Sequence, residues 1–477
     1  MLEFVIVLAY IVLTTFLGWY LTSKAKARND INSFFVGKKE LSWILVMFVM
    51  FGECIAGASS IGAAQSSWKS GLSSVWTNWG QCLGIIVFVF TVSKLYRTAG
   101  YYGSYSVPEA YQFRFGSQRC RVVVMAIVVV VYTILYALQP KSAAAILSPM
   151  LNVDIRICAW AMAAVFVFQA LSGLKGIAWM NVVHSSILFI GCFVVMILSG
   201  KASGGIAAVK EQLDCTYLSV LQPSVGTVVG NALGGLFAFI LSTSLVANVY
   251  GAKSKHDANF GVIAGAIVVF VFAFFPAFVG VFGKIMYPEV QDTSKIFYIV
   301  ADTFGAGIGA LASMCIIAAV FSTAPAFLLT VGTSLARDLY KGIINKEATP
   351  EQQLKFSKWA IVVLGLGSTY LGLNAASILT QVNSAFQIRA VAGLILVMGA
   401  LWPRVNEKAA FWSMLVGGIV AALWFILGNP FGIVPFWPGC GVAFVMCIII
   451  SFANGKKVSD DFAHYKELQD AIPEGQL

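Results

Sequence analysis

Residues 52–72, GECIAGASSIGAAQSSWKSGL, read as a membrane helix that has been interrupted. They lie within an apolar stretch that begins near Leu41, yet glycines, serines and the acidic Glu53 stand where lipid would demand Leu and Val. Backbone that leaves the helix at membrane depth persists only where it is buried in protein or lines a cavity. Discontinuous helices of this kind expose carbonyls and amides at the bilayer midplane, the arrangement by which transporters hold ions and solutes. The stretch therefore implies a polytopic membrane protein with a polar site at mid-depth.

Composition agrees. Of the 477 residues, 59% are hydrophobic and only 11% are charged, with a mean hydropathy of +0.84, far outside the soluble globular range. One transmembrane domain over 1–453, with its core at about 42–402, and a short cytoplasmic tail over 454–477 fit this length better than several soluble domains. The net charge of +10 is spread in short basic clusters between apolar runs, so no basic face exists to bind nucleic acid. No GxxxxGK[ST] motif occurs, which excludes the usual nucleotide phosphate cradle. The nine cysteines are scattered singly, without CxxC and without His at ligand spacing, and read as small buried hydrophobes. No catalytic constellation is present, which disfavours an enzyme. The opening MLEFVIVLAYIVLTTFLGWYL has no basic n-region and no small-residue cleavage site, so it reads as a spanning helix.

Apolar stretches able to cross about 30 Å of hydrocarbon number thirteen: 2–22, 42–67, 72–94, 121–149, 157–173, 177–199, 226–250, 260–283, 297–335, 357–375, 377–402, 408–428 and 434–453. The expected fold is all-α. The ninth stretch is long enough to include a re-entrant or surface helix, and the junction near 375 is tight. Alternate loops carry 23 of the 31 Lys and Arg residues, from Lys24 and Lys38 through Arg97, Arg121, Lys253, Arg337 and Arg404 to Lys456. That side is cytoplasmic by the positive-inside rule, with the N-terminus outside and the C-terminus inside. An even number of spans would scramble the segregation.

Five stretches, in order along the chain, resemble motifs of the sodium/solute symporter family. SSIGAAQSSWKSGL (59–72) is similar to the family's SFIGxxGxxYxxGL, and SVPEAYQFRFG (106–116) to TLPDxLxxRYG. SGLKGIAWMNVVH (172–184) resembles GGLKAVxWTDxxQ, YGAKSKHDA (250–258) resembles xAAKDEKxA, and AAVFSTAPAFLLTVGTSLARDLYK (318–341) resembles AAxxSSxxSxLNSxSTxxxxDIYK. The resemblance implies a LeuT-like inverted repeat of five plus five helices, with one helix before this core and two after it. The broken helices would be 42–67 and 226–250, and the second is again polar at mid-depth in STSLVANVY (242–250).

The same resemblance implies Na+ as the coupling ion. Sodium is a hard cation that carbonyls and hydroxyls suit. Carried over by position, its ligands are the carbonyls of Gly57, Ser60 and Ala319 and the hydroxyls of Ser322 and Thr323. The competing reading is that Ser322 and Thr323 merely bond back to the preceding helical turn. A second sodium site of some relatives needs an Asp and two Ser; here those positions are Asn181, Pro325 and Ala326. A neutral amide and two residues without hydroxyls do not supply that site, so one sodium ion per cycle is expected. Pro325 also removes a backbone donor and should bend its helix.

Charges deep in the spans are functional candidates, and here they are Glu53, Lys141 and Arg389. Arg389 would hold a substrate carboxylate, with Glu53 or Lys141 reading another polar end; alternatively Glu53 and Arg389 form a buried structural pair. Lys141 could instead snorkel to the outer surface. His184 could titrate or be a satisfied buried side chain. Ser59, Gln65, Gln81, Gln139, Ser242, Thr243, Asn248 and Gln387 complete the candidate substrate cavity.

The resulting expectation is a sodium-coupled symporter importing a small polar organic solute, a carboxylate or zwitterion, by alternating access in a lipid bilayer. Sugar or polyol symport, an uncoupled facilitator and a transporter-like sensor are the alternatives. The 24-residue tail is too short for a signalling domain, and the absence of an N-x-S/T sequon leans toward a bacterial cytoplasmic membrane.

Overall fold

The interruption lies at the N-terminal edge of the stretch that announces it. In the computed structural model, which describes residues 2–23, 34–35, 39–222, 224–374 and 378–473, helix α2 (Trp43–Cys54) ends at the non-helical Ile55 and α3 (Gly57–Ser70) begins two residues later. The residues after the break are thus helical again. The second interruption separates α11 (Val225–Ile240) from α12 (Thr243–Gly251), with Ser242 as the N-cap of the second half.

The remaining helices follow the apolar runs. They are α1 (Leu2–Ser23), α4 (Trp76–Thr91), α5 (Ser93–Tyr101), α6 (Val107–Phe115), α7 (Gln118–Leu151), α8 (Ile155–Ala170), α9 (Gly173–Ser203) and α10 (Gly205–Gln212). After the second break come α13 (Lys255–Phe272), α14 (Phe274–Met286), α15 (Ile296–Asp302), α16 (Ala306–Ser334), α17 (Pro350–Leu373), α18 (Ile378–Leu401), α19 (Glu407–Ile426), α20 (Phe436–Ala453) and α21 (Asp460–Asp470). Among the described residues, nine helical segments are long and apolar enough to cross a membrane, and four shorter apolar helices accompany them. The tight junction expected near 375 lies outside the described residues, as do the loop lysines before Lys39.

α16 is the central element. Nearly every residue from Gly309 to Ser334 is buried, and the helix runs uninterrupted through Pro325 before continuing as a π-helical turn from Leu335 to Ile344. The short α15 ahead of it accounts for the extra length of the ninth apolar stretch. Close helix approach depends on small residues, as membrane packing requires. A Cβ on Gly80 would stand 2.7 Å from the Ala232 carbonyl, which lets α4 cross α11 nearly in backbone contact. One β-bridge, Leu41 with Ala252, joins the start of α2 to the end of α12 through Leu41 N–H to Gly251 O (2.9 Å) and Lys253 N–H to Leu41 O (3.0 Å).

On the side of the basic loops, charges are buried in one network. Ser106 and Glu109 form a capping box at the start of α6. Glu109 also takes salt bridges from Arg121 (3.1 Å) and Arg337 (2.7 Å), while Arg121 reaches Asp338 (2.9 Å). Burial raises the Glu109 carboxyl, but the two guanidinium charges outweigh it and hold it below the ordinary carboxylate value. The segment after 453 is not a free tail. α21 packs on the basic loops, laying Phe462 and Tyr465 over the buried Arg114 guanidinium (4.8 and 5.8 Å) and sending Gln469 to Thr98 (3.4 Å).

Two measurements test this layout. Because its folded-state carboxyl is depressed, Glu109 contributes stability above the ordinary carboxylate range of about 4.5 and loses it as pH falls through the folded value. The thermal midpoint of the purified protein should therefore drop in acid, and Glu109→Gln should lower it at neutral pH by breaking a buried pair, a loss of about 3–5 kcal/mol. Cys215, between α10 and α11, is the exposed one of the nine cysteines. It should react with a membrane-impermeant maleimide on intact cells if that loop is external.

Candidate functional site

A helix that stops releases its last carbonyls, and a helix that starts releases its first amides. Ile55 N–H bonds to Phe51 O, so Gly52 is the first residue of α2 whose carbonyl has no helical partner ahead of it. The Ser322 hydroxyl lies 3.2 Å from that Gly52 carbonyl and 3.0 Å from the Ala319 carbonyl. The Thr323 hydroxyl is 3.0 Å from Ala319 O and 3.2 Å from Val320 O. Both hydroxyls therefore bond back to their own helix, as the competing reading anticipated, and Ser322 also reaches across to α2.

The expected sodium ligands of the first broken helix, Gly57 and Ser60, lie just past the break. Gly57 and Ser60 belong to the first turn of α3, where amides rather than carbonyls are released, and the Ser60 amide and hydroxyl both bond to Ala56 O (each 3.1 Å). The carbonyl that faces Ser322 is Gly52's. Asn181 packs directly behind it: a Cβ on Gly52 would meet Asn181 Nδ2 at 2.7 Å and Ser322 Cβ at 3.3 Å. One turn further on α9, the buried His184 places Nδ1 against the Tyr10 hydroxyl and its ring edge-on to Phe321.

Glu53, the next residue, faces the second break. Its carboxylate accepts from the Ser242 hydroxyl (2.6 Å) and the Tyr132 hydroxyl (3.2 Å). Ser242 in turn caps α12 by accepting Leu245 N–H at 3.0 Å. The buried carboxylate thus sits at the N-terminal end of α12, where the helix dipole favours negative charge. Arg389 on α18 reaches the same network through Tyr132, donating from Nη1 to its hydroxyl at 2.6 Å. The guanidinium is enclosed by the rings of Tyr132, Phe239 and Phe386 at 5.2, 5.3 and 5.2 Å, is 1% exposed, and among the described residues has no partner for Nε or Nη2. Glu53 and Arg389 are therefore linked by a tyrosine that sequence reasoning missed. Its signal was a hydroxyl within the apolar run of α7, at the depth of the breaks.

Two small cavities end at this layer from opposite sides. One, toward the basic loops, is lined by Thr243, Thr330, Ala326, Thr333, Ser106 and Tyr105. Thr243 and Thr330 share a hydroxyl contact of 2.7 Å there, and Thr243 N–H bonds to Tyr132. The other is lined by Thr77, Asn231, Gly234, Gly235, Phe386 and Gln387. Gln387 donates to Asn231 at 3.2 Å. Gln81 is buried on α4 against Gly235, with both ends of its amide unpartnered among the described residues.

The other expected substrate residues are not brought together. Gln139 donates to Leu135 O on its own helix (3.0 Å), and Gln65 to Thr293 (3.1 Å). Asn248 is buried further along α12, and Lys141 donates to Leu373 O at the end of α17 (3.4 Å). The side chain of Ser59 lies outside the described residues.

The profile of the "Sodium:solute symporter family" matches residues 34–417, and the chain belongs to that family. It is a multi-pass membrane transporter that couples solute movement to sodium, and not an enzyme. Among curated proteins it is 21% identical to the Escherichia coli sodium/proline symporter, over 95% of this chain and 94% of that one. It is 21% identical to the osmoregulated proline transporter of Bacillus subtilis (93% of each), and 20% identical to human sodium/myo-inositol cotransporter 2 (89% of this chain, 70% of that one). Its fold is similar to a Na+-coupled sialic acid symporter solved in a substrate-bound outward-open state, with a TM-score of 0.78, 17% identity, and coverage of 95% of this chain and 98% of that one.

If Gly52 is packed to contact as the geometry requires, Gly52→Ala should cost about 1–3 kcal/mol through overpacking. Thermal unfolding in detergent checks this, and a neutral outcome would mean that Asn181 has room to yield.

Proposed function

We propose that the chain is a one-sodium symporter that imports a small organic carboxylate or zwitterion by alternating access, with its C-terminus in the cytoplasm of a bacterial cell. The observation that carries this reading is Arg389. It is a buried guanidinium whose Nε and Nη2 have no partner among the described residues, on the helix whose Phe386 and Gln387 line a cavity with Thr77 and Asn231. A planar fork of donors matches a carboxylate in bidentate fashion. The cost of burying it alone in hydrocarbon is high enough that such residues mark substrate pathways.

For the ion, the released Gly52 carbonyl, the Ala319 carbonyl and the Ser322 and Thr323 hydroxyls offer uncharged oxygens at one place between α2 and α16. Such a set suits sodium. An ion there would pin the first broken helix to α16, so ion and solute binding would favour the same state. Each then raises the other's affinity by one common factor.

A sugar or polyol is the second reading, favoured by the unpartnered Gln81 amide, which offers both a donor and an acceptor to hydroxyl groups.

Uptake into proteoliposomes decides between these readings. Labelled L-proline, N-acetylneuraminic acid and myo-inositol are supplied with a sodium gradient and again with choline in its place. Carboxylate uptake that falls at least tenfold in choline supports the proposal. Uptake of myo-inositol alone supports the polyol reading, and sodium-independent uptake rejects coupling. Ser322→Ala should raise the sodium concentration needed for half-maximal uptake by about tenfold, the loss of one ligand worth about 1.4 kcal/mol.

A further inference from the structure

We infer that Glu53 is the residue through which sodium controls the affinity of Arg389 for the solute carboxylate. This rests on the sodium and carboxylate sites proposed above and adds the charge that connects them.

Three hydrogen bonds set up the connection. The Tyr132 hydroxyl accepts from Arg389 Nη1 (2.6 Å) and from Thr243 N–H (3.2 Å), and donates its proton to Glu53 (3.2 Å). Its lone pairs and its proton are all used, so the buried cation and the buried anion are joined by one saturated hydroxyl. In this arrangement Glu53 compensates Arg389. Gly52, whose carbonyl faces Ser322, is the residue before Glu53. A sodium ion at that carbonyl would be held one residue from the same carboxylate, in a low-dielectric interior where unit charges act strongly on each other.

Two cations then share one anion. Glu53 cannot compensate both, and Arg389 is left with uncompensated charge and with Nε and Nη2 unpartnered among the described residues, on the helix whose Phe386 and Gln387 line the solute cavity. A carboxylate arriving there restores neutrality: guanidinium with solute carboxylate, sodium with Glu53. No proton need move and no covalent bond changes. The scheme orders binding, sodium before solute, and requires an anionic group on the solute. A neutral polyol at Gln81 gains nothing from it. Of the titratable groups nearby, Cys54 lies on the same helix, Cys82 on α4 and His184 on α9. Tyr132 and Arg389 are the two that the hydrogen-bond chain joins to Glu53, and Arg389 carries the compensating positive charge.

The test uses the full-length purified chain in nanodiscs, titrated with sodium chloride in a choline background and read by thermal shift. Wild type should show a saturable sodium response. Glu53→Gln should weaken it at least tenfold, and Glu53→Asp, which keeps the charge, should restore most of it. If Glu53→Gln leaves Arg389 too unbalanced to fold, the double variant E53Q/R389Q removes both charges and should still bind sodium more weakly than wild type.

The second arm uses L-proline and N-acetylneuraminic acid as probes. Sodium should raise the wild-type affinity for a carboxylate probe by a factor within the usual coupling range of about 5–150. In Glu53→Gln the sodium-free affinity should rise to the wild-type level measured with sodium, and should no longer respond to the ion. Structural damage does not produce such a gain. Sodium affinity retained in Glu53→Gln, or in the double variant, overturns the inference while leaving symport intact. A wild-type protein without any sodium response removes the symport reading and the inference together.

Discussion

The site depends on one contact, the hydrogen bond from Ser242 to Glu53 that holds two helix breaks face to face. A break in a membrane helix exposes backbone groups that hydrocarbon cannot satisfy. Each break here meets part of that demand with polar groups of another helix. Ser242 caps α12 with its oxygen and gives its proton to Glu53, while the Ser322 hydroxyl is shared between Ala319 O on its own helix and the first carbonyl that α2 releases. Tyr132 adds the Thr243 amide to the same network. The polar layer is therefore not an insertion into an apolar fold; it is what permits the two helices to stop at mid-depth.

Much of this could be read from the chain before any coordinates. The apolar runs and the polar stretches within them locate the helices and both interruptions, because hydrocarbon imposes so strong a composition that departures stand out. Glu53 and Arg389 stood out by depth, Ser242 and Thr243 by the second break that the family resemblance implies, and hydrogen bonds through Tyr132 join them. What was not legible is direction and partnership. The glycine- and serine-rich run marks the second half-helix, whereas the gap itself falls at Ile55–Ala56, a pair of ordinary apolar type. Composition cannot separate a helix start from a helix end, and that distinction is why the carbonyl found against Ser322 is Gly52's, five residues before Gly57.

Tyr132 was hidden for a different reason. A lone tyrosine in an apolar helix ordinarily reads as an interfacial anchor or a core ring, and only three-dimensional packing places its hydroxyl between a carboxylate and a guanidinium. Gln65 and Gln139 show the converse. Their polar side chains satisfy nearby partners, Thr293 and the Leu135 carbonyl, and take no part in the cluster. The C-terminal segment was likewise read as a simple polar tail, although Phe462, Tyr465 and Ile472 are spaced to give it a buried face.

The bridge between Leu41 and Ala252 has a consequence for motion. It joins the two broken helices near the basic loops by paired backbone bonds, and Glu53 with Ser242 joins them again at their breaks. Two ties at different heights leave a pair of rods little freedom to shear or splay. A rearrangement that moves either helix half beside the basic loops therefore carries the other with it, as one lever.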